Sequence, residues 1–172
     1  MLPEKYLLTF IAAALNNIKI IIIQEVDSMP LIKQISIFVE NKPGRLKAMT
    51  HILKDNDIDI LAISIADTKD FGILRLIVND PDKACKALKD AECTVKLTDV
   101  LAIKLEDKPG GLSVVMDTLF DNQISVEYMY AFFSKQDGQA AVILRVDDNE
   151  KAAQVLEKAG VSLLTGEIIG KM

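Results

Sequence analysis

Asn41-Lys42-Pro43-Gly44-Arg45-Leu46 and Asp107-Lys108-Pro109-Gly110-Gly111-Leu112 are two copies of one turn, each following a strand-like run and opening a helix-like one. Proline fixes φ and brings no N–H, and glycine has no Cβ, so the chain can bend sharply and let a ligand come close. The first N–H groups of the following helix are unpaired and sit at the positive end of its dipole. A carboxylate fits such a place. Asn41 and Asp107, two residues before each proline, offer a side-chain oxygen to an ammonium group. Each turn is therefore expected to complement a free amino acid. The plainer reading is that the Pro-Gly pair only makes a corner and the Asn or Asp only caps local N–H groups.

Outward from the first turn, Ile35, Ile37 and Val39 alternate with Ser36, Phe38 and Glu40, the period of a strand. Beyond it, Leu46, Met49, Ile52 and Leu53 recur at helical spacing, and Asn56-Asp57 ends that helix. Ile58 to Ala66 and Phe71 to Val78 read as strands joined by a hairpin at Asp67-Thr68-Lys69-Asp70. Asn79-Asp80-Pro81-Asp82 starts a helix with a capping side chain and an early proline, and Cys93 to Thr98 closes the unit as a strand.

The order then repeats. Val100 to Glu106 reads as a strand, Leu112 to Phe120 as a helix and Val126 to Phe133 as a strand. After a turn at Lys135-Gln136-Asp137-Gly138 come a strand over Ala140 to Val146, a helix over Asn149 to Ala159 and a last strand over Ser162 to Ile169. The predicted fold class is α+β: two tandem ferredoxin-like βαββαβ units with antiparallel sheets, packed side by side. The short joint Thr98-Asp99-Val100 argues for packed rather than tethered units. The expected divisions are an N-terminal extension over 1–30, a first unit over 31–98 and a second over 99–172.

The 172-residue length allows one large domain or two small ones, and the repeat decides for two. Half the residues are hydrophobic, enough for a core. A net charge of −5 and 5% aromatic residues give no basic field for phosphate backbones, so no nucleic acid is expected. Cys85 and Cys93 read as buried, reduced thiols of a cytoplasmic protein. In the extension, Leu7 to Leu15 is apolar but falls short of the roughly 18 to 20 residues of a membrane span, and Asn16, Asn17 and Lys19 interrupt it. Glu4 beside Lys5 weakens a signal-peptide reading. The expectation is that residues 1–28 are upstream sequence translated from a misplaced start, with Met29 the natural one; a loosely docked helix is the alternative.

The two turns in register, the Asn56 and Asn122 helix ends and the βαββαβ order resemble the ACT domain, a regulatory module, in two copies over Ile35 to about Ile169. The resemblance implies an amino-acid-binding site between paired domains. The implied contacts are Asn41, Pro43, Gly44, Arg45 and Leu46 in one copy and Asp107, Pro109, Gly110, Gly111 and Leu112 in the other, with Ile63, Ser64, Tyr128 and Met129 of the second strands beside the ligand. ACT domains usually accompany a catalytic domain. This chain resembles a stand-alone pair, so the regulated activity would belong to a partner enzyme and the chain itself is expected to be non-catalytic, with no cofactor, metal or membrane contact. Arg45 stands where the second copy has Gly111, and its guanidinium could clamp a carboxylate or fill the pocket, so equal sites are not expected.

Sheet faces turned away from the helices would leave apolar surface, from Leu61, Ile63 and Ile65 or from Tyr128, Tyr130 and Phe132, and this predicts a homodimer packed through its sheets. His51 falls opposite the apolar stripe of its helix and reads as exposed rather than as a general base. Asp55-Asn56-Asp57-Ile58-Asp59 begins like a calcium loop but lacks its glycine and closing glutamate. Two functions stand: a non-catalytic amino-acid sensor, or a structural interaction module or regulatory subunit with no ligand of its own.

Overall fold

The computed structural model describes residues 30–67, 70–106, 108–133 and 139–170. The N-terminal extension through residue 29, Asp107, the middle two residues of the first expected hairpin turn and all of the second lie outside the described residues. The elements are β1 (Leu31–Glu40), α1 (Arg45–Asp55), β2 (Ile60–Asp67), β3 (Phe71–Val78), α2 (Pro81–Asp90), β4 (Thr94–Glu106), α3 (Gly111–Asp121), β5 (Val126–Phe133), β6 (Gln139–Val146), α4 (Asn149–Lys158), β7 (Ser162–Leu163) and α5 (Gly166–Gly170). The fold is α+β, and β-α-β-β-α-β occurs twice. No helix among the described residues is long and apolar enough to cross a membrane.

Local signals place the helices. The Asp80 and Asp148 side chains accept from the N–H of Lys83 and Lys151, capping α2 and α4 in the same way. At the C-terminal ends of α1 and α3, Asn56 and Asn122 return their side-chain amides to the carbonyls of Ile52 and Thr118, both at 2.9 Å. Asp57 and Gln123 then take positive φ, and the N–H of Ile58 and Ile124 reaches back to Leu53 and Leu119, a left-handed helix stop.

The two expected strands over 93–98 and 100–106 are one continuous strand, the 13-residue β4. Thr98-Asp99-Val100 contains no glycine or proline, and the apolar alternation keeps its phase through it. Val95 and Leu97 pack on the first core while Leu101 and Ile103 lie in the second. With a side-chain period of two, all four point to one face and no bend is required. Leu101 pairs with Leu31 of β1 and with Leu144 of β6, so these strands flank β4 on opposite edges and both units share one sheet, in the order β2-β3-β1-β4-β6-β5.

The predicted last strand, Ser162 to Ile169, is cut short: β7 has two residues, and the chain turns at Thr165-Gly166 into α5. Leu164 and Ile169 are thereby buried on the helix-free face, which a strand continuing in the plane of the sheet would not achieve for both.

Three apolar clusters hold the sheet. Helices α1 and α2 cover Ile35, Ile37, Leu74 and Leu76; α3 and α4 cover Leu101, Ile103, Val142 and Leu144. Burying each such side chain fully contributes about 1.5–3 kcal/mol. The third cluster lies on the opposite face and joins the units: Ile32, Ala62 and Ile77 of the first meet Ala102, Ala141 and Ile143 of the second, Leu164 and, from α5, Ile169 also belong to it, and Tyr130 and Phe132 lie at its border. The outermost strands β2 and β5 approach each other, so the sheet curls with its helices outside. Much of the surface expected to face a second copy is thus covered within one chain.

Candidate functional site

Both Pro-Gly turns stand at strand-to-helix junctions, with Gly44 and Gly110 as N-caps at the same φ of 87°. Only glycine adopts this left-handed conformation freely. Among the described residues neither helix start has a side-chain cap, and nothing accepts from the N–H of Leu46, Lys47 or Leu112. These donors sit at positive helix ends, as an anion site requires.

At the first turn, Glu40, Asn41, Arg45, Leu46 and Ile65 line a pocket, and Pro43 and Gly44 are exposed at its rim. The Asn41 side chain is exposed, and its backbone N–H is fixed by the carbonyl of Asp70 at 2.9 Å. Arg45 is already engaged: its Nη2 donates to Glu40 Oε2 at 2.6 Å, and Lys42 Nζ reaches the same carboxylate at 3.3 Å. Arg45 and then Lys42 hold the Glu40 carboxyl below its ordinary range. At the second turn Lys108 pairs with Glu106 and lowers its pKa likewise.

Gly111 replaces Arg45 for a steric reason. A Cβ there would lie 2.7 Å from the carbonyl oxygen of Glu106, so the second turn is too tight for a side chain. Pro109 and Gly110 are exposed, Leu112 is partly buried against the second core, and Asp107 lies outside the described residues.

The four expected second-strand contacts divide between the faces of the sheet. Ile63 pairs across with Leu76 and Met129 with Leu144, on the helix face, where both are exposed at the outer strands. Ser64 pairs with Arg75 and Tyr128 with Arg145, on the helix-free face. There the two units meet through a polar group that the sequence reading passed over. Gln34, fully buried, donates from Nε2 to Tyr128 Oη at 2.8 Å and to Ser36 Oγ at 3.0 Å, while Tyr130 Oη donates to Gln34 Oε1 at 3.1 Å. The Arg75 guanidinium lies 4.0 Å from the centroid of the Tyr128 ring. Burial, reinforced by neighbouring Tyr128, pushes the Tyr130 phenol well above its ordinary pKa. The available signal was the alternation of Gln34 and Ser36 with isoleucines, two polar residues on the strand face that avoids the helices.

His51 is exposed, and Cys85 and Cys93 are free thiols. Among the described residues, no group of three or more His, Cys, Asp and Glu could hold a metal ion.

A family model for the ACT domain pair matches residues 30–172. The chain belongs to the ACT-domain-pair family. A crystal structure of a Bacteroides thetaiotaomicron protein is 42% identical, with a TM-score of 0.78 over 83% of this chain and 98% of that one. The regulatory subunits of aspartate kinase from Thermus flavus and Thermus thermophilus share the fold at 14% identity. Their TM-scores are 0.54 and 0.56, over 74% and 77% of this chain and 92% and 95% of theirs. A search of curated proteins finds no match. In this ACT pair, the turns that carried the resemblance are the two uncapped helix starts.

Proposed function

We propose that this ACT pair is a non-catalytic, cytoplasmic regulatory protein that binds a free amino acid at its Pro-Gly turns. The observation that carries the reading is the pair of uncapped helix starts behind Gly44 and Gly110, the first opening into the pocket that Ile65 and Leu46 line. A ligand carboxylate would take the free N–H groups of Leu46 and Lys47, its ammonium would lie toward Asn41, and Asp107 would serve the second turn. The regulatory subunits of aspartate kinase that share the fold support a partner enzyme as the reader of the signal. Ile63 and Ile65, 55% and 50% exposed on an outer strand, support pairing of two copies. Binding would shift the packing of units or copies.

The Glu40–Arg45 pair favours the second reading, a structural or regulatory module without a ligand, because an internal carboxylate already occupies that guanidinium. Thermal-shift measurements of the full chain against each common amino acid separate the two. A ligand at about 100 times its dissociation constant adds about 2.7 kcal/mol of stability. One selective shift, lost in Asn41→Ala or Asp107→Ala, is the expected result; no shift with any amino acid favours the ligand-free module.

A further inference from the structure

We propose that Arg75 anchors a separate binding site on the helix-free face, which takes the carboxylate of a small acid and lays its apolar body on Phe38 and Ile73. Strand register puts Ser36, Arg75 and Ser64 in one row across β1, β3 and β2, and Phe38, Ile73 and Ala66 in the next. Stacking on Tyr128 occupies one face of the guanidinium. The in-plane edge of a guanidinium held in this way can grip a carboxylate with two parallel bonds.

Arg75 Nε is shut off from solvent without a hydrogen-bond partner among the described residues, and Arg75 is in none of the ion pairs found there. Arg45 and Arg145 each have a glutamate, Glu40 and Glu127. Arg75 as a whole is only partly buried, so a small anion can reach its outer edge.

The neighbouring groups are set as donors. Ser36 Oγ and Tyr128 Oη both accept from the buried Gln34 amide, which leaves each hydroxyl proton to be donated elsewhere. Ser64 adds a third hydroxyl from the adjacent strand. An acceptor is what the row lacks. Beside it, Phe38 and Ile73 are 51% and 38% exposed, and Phe38 stacks on Phe71 at 4.9 Å between ring centroids. Cation, hydroxyls and apolar shelf together describe a small apolar carboxylate. The corresponding row of the second unit, Ala102, Ile143 and Tyr130, has no cation, so it does not repeat the site.

The test uses the full chain with isotope-labelled arginine side chains, titrated with isocaproate, which has a branched apolar body and no ammonium group, and separately with inorganic phosphate. Arg45, Arg75 and Arg145 give three Nε–H signals, the Arg75 signal being the one lost in Arg75→Lys. The expected result is a saturable shift of the Arg75 signal with isocaproate, at least about tenfold weaker with phosphate. Ser64→Ala should weaken it about threefold to tenfold, and Asn41→Ala should leave it unchanged. An Arg75 signal that neither probe moves, or that both move equally, overturns the proposal. So does movement of the Arg45 signal alone, which would put the carboxylate at the first Pro-Gly turn.

Discussion

The two units are close copies on the face that carries their helices and different molecules on the other. Under the helices, Leu53 answers to Leu119, Ile37 to Ile103, Leu76 to Leu144 and Leu88 to Leu156, each at most 1% exposed. On the helix-free face, Gln34, Ser36 and Arg75 of the first unit stand where the second has Val100, Ala102 and Ile143. A helix face must satisfy the same packing problem twice, because the same elements cover it. The helix-free faces instead meet each other, and two surfaces in contact need complementary rather than equal chemistry.

The largest effect tests the sameness. Leu53→Ala and Leu119→Ala should each cost about 2–5 kcal/mol in denaturant unfolding. Because β4 runs through both cores, both variants should unfold in one transition. Two separated transitions would break the picture of a single shared sheet.

The next change tests the difference. Gln34→Leu removes the buried amide that joins Ser36, Tyr128 and Tyr130, and leaves three part-buried hydroxyls to find other partners. It should cost about 1–3 kcal/mol. The reciprocal Val100→Ala removes only apolar contact. If Gln34→Leu were neutral in the same denaturation assay, the polar seam would not be holding the units together.

The turns sharpen the comparison further. Gly111→Ala meets the Glu106 carbonyl and should destabilise by about 1–3 kcal/mol. Arg45→Ala, at the matching position, loses an exposed ion pair and should change stability by no more than about 1 kcal/mol. Equal effects in thermal unfolding would mean that the two turns are not built differently after all.

The smallest effect is in acid. Glu40 and Glu106 both have carboxyl pKa values depressed below the ordinary 4.5, Glu40 by Arg45 and Lys42, Glu106 by Lys108. A depressed folded pKa contributes stability that is present above the unfolded value and lost as pH falls through the folded one. Glu40→Gln and Glu106→Gln should therefore make the stability-against-pH curve slightly flatter below pH 4.5, with little change in its slope at neutral pH. A flattening confined to neutral pH would contradict the assignment.

What the sequence determined by itself was local. The left-handed glycines follow from Pro-Gly, the caps from Asp80 and Asp148, and the helix ends from Asn56 and Asn122 bonding back four residues. Each is settled within one turn of chain, so a short stretch contains the whole cause. The last strand was misjudged because Leu163, Leu164, Ile168 and Ile169 are apolar enough for either state, and only the open helix-free face made a helix there the better burial. Tertiary structure alone decided that Thr98-Asp99-Val100 lies inside one strand, and that Ser64 and Tyr128 turn away from Ile63 and Met129. It also brought Gln34 to Tyr128 and Tyr130, 94 and 96 residues along the chain. Those contacts depend on how the shared sheet curls and which edges pair, and that is a property of all the strands together.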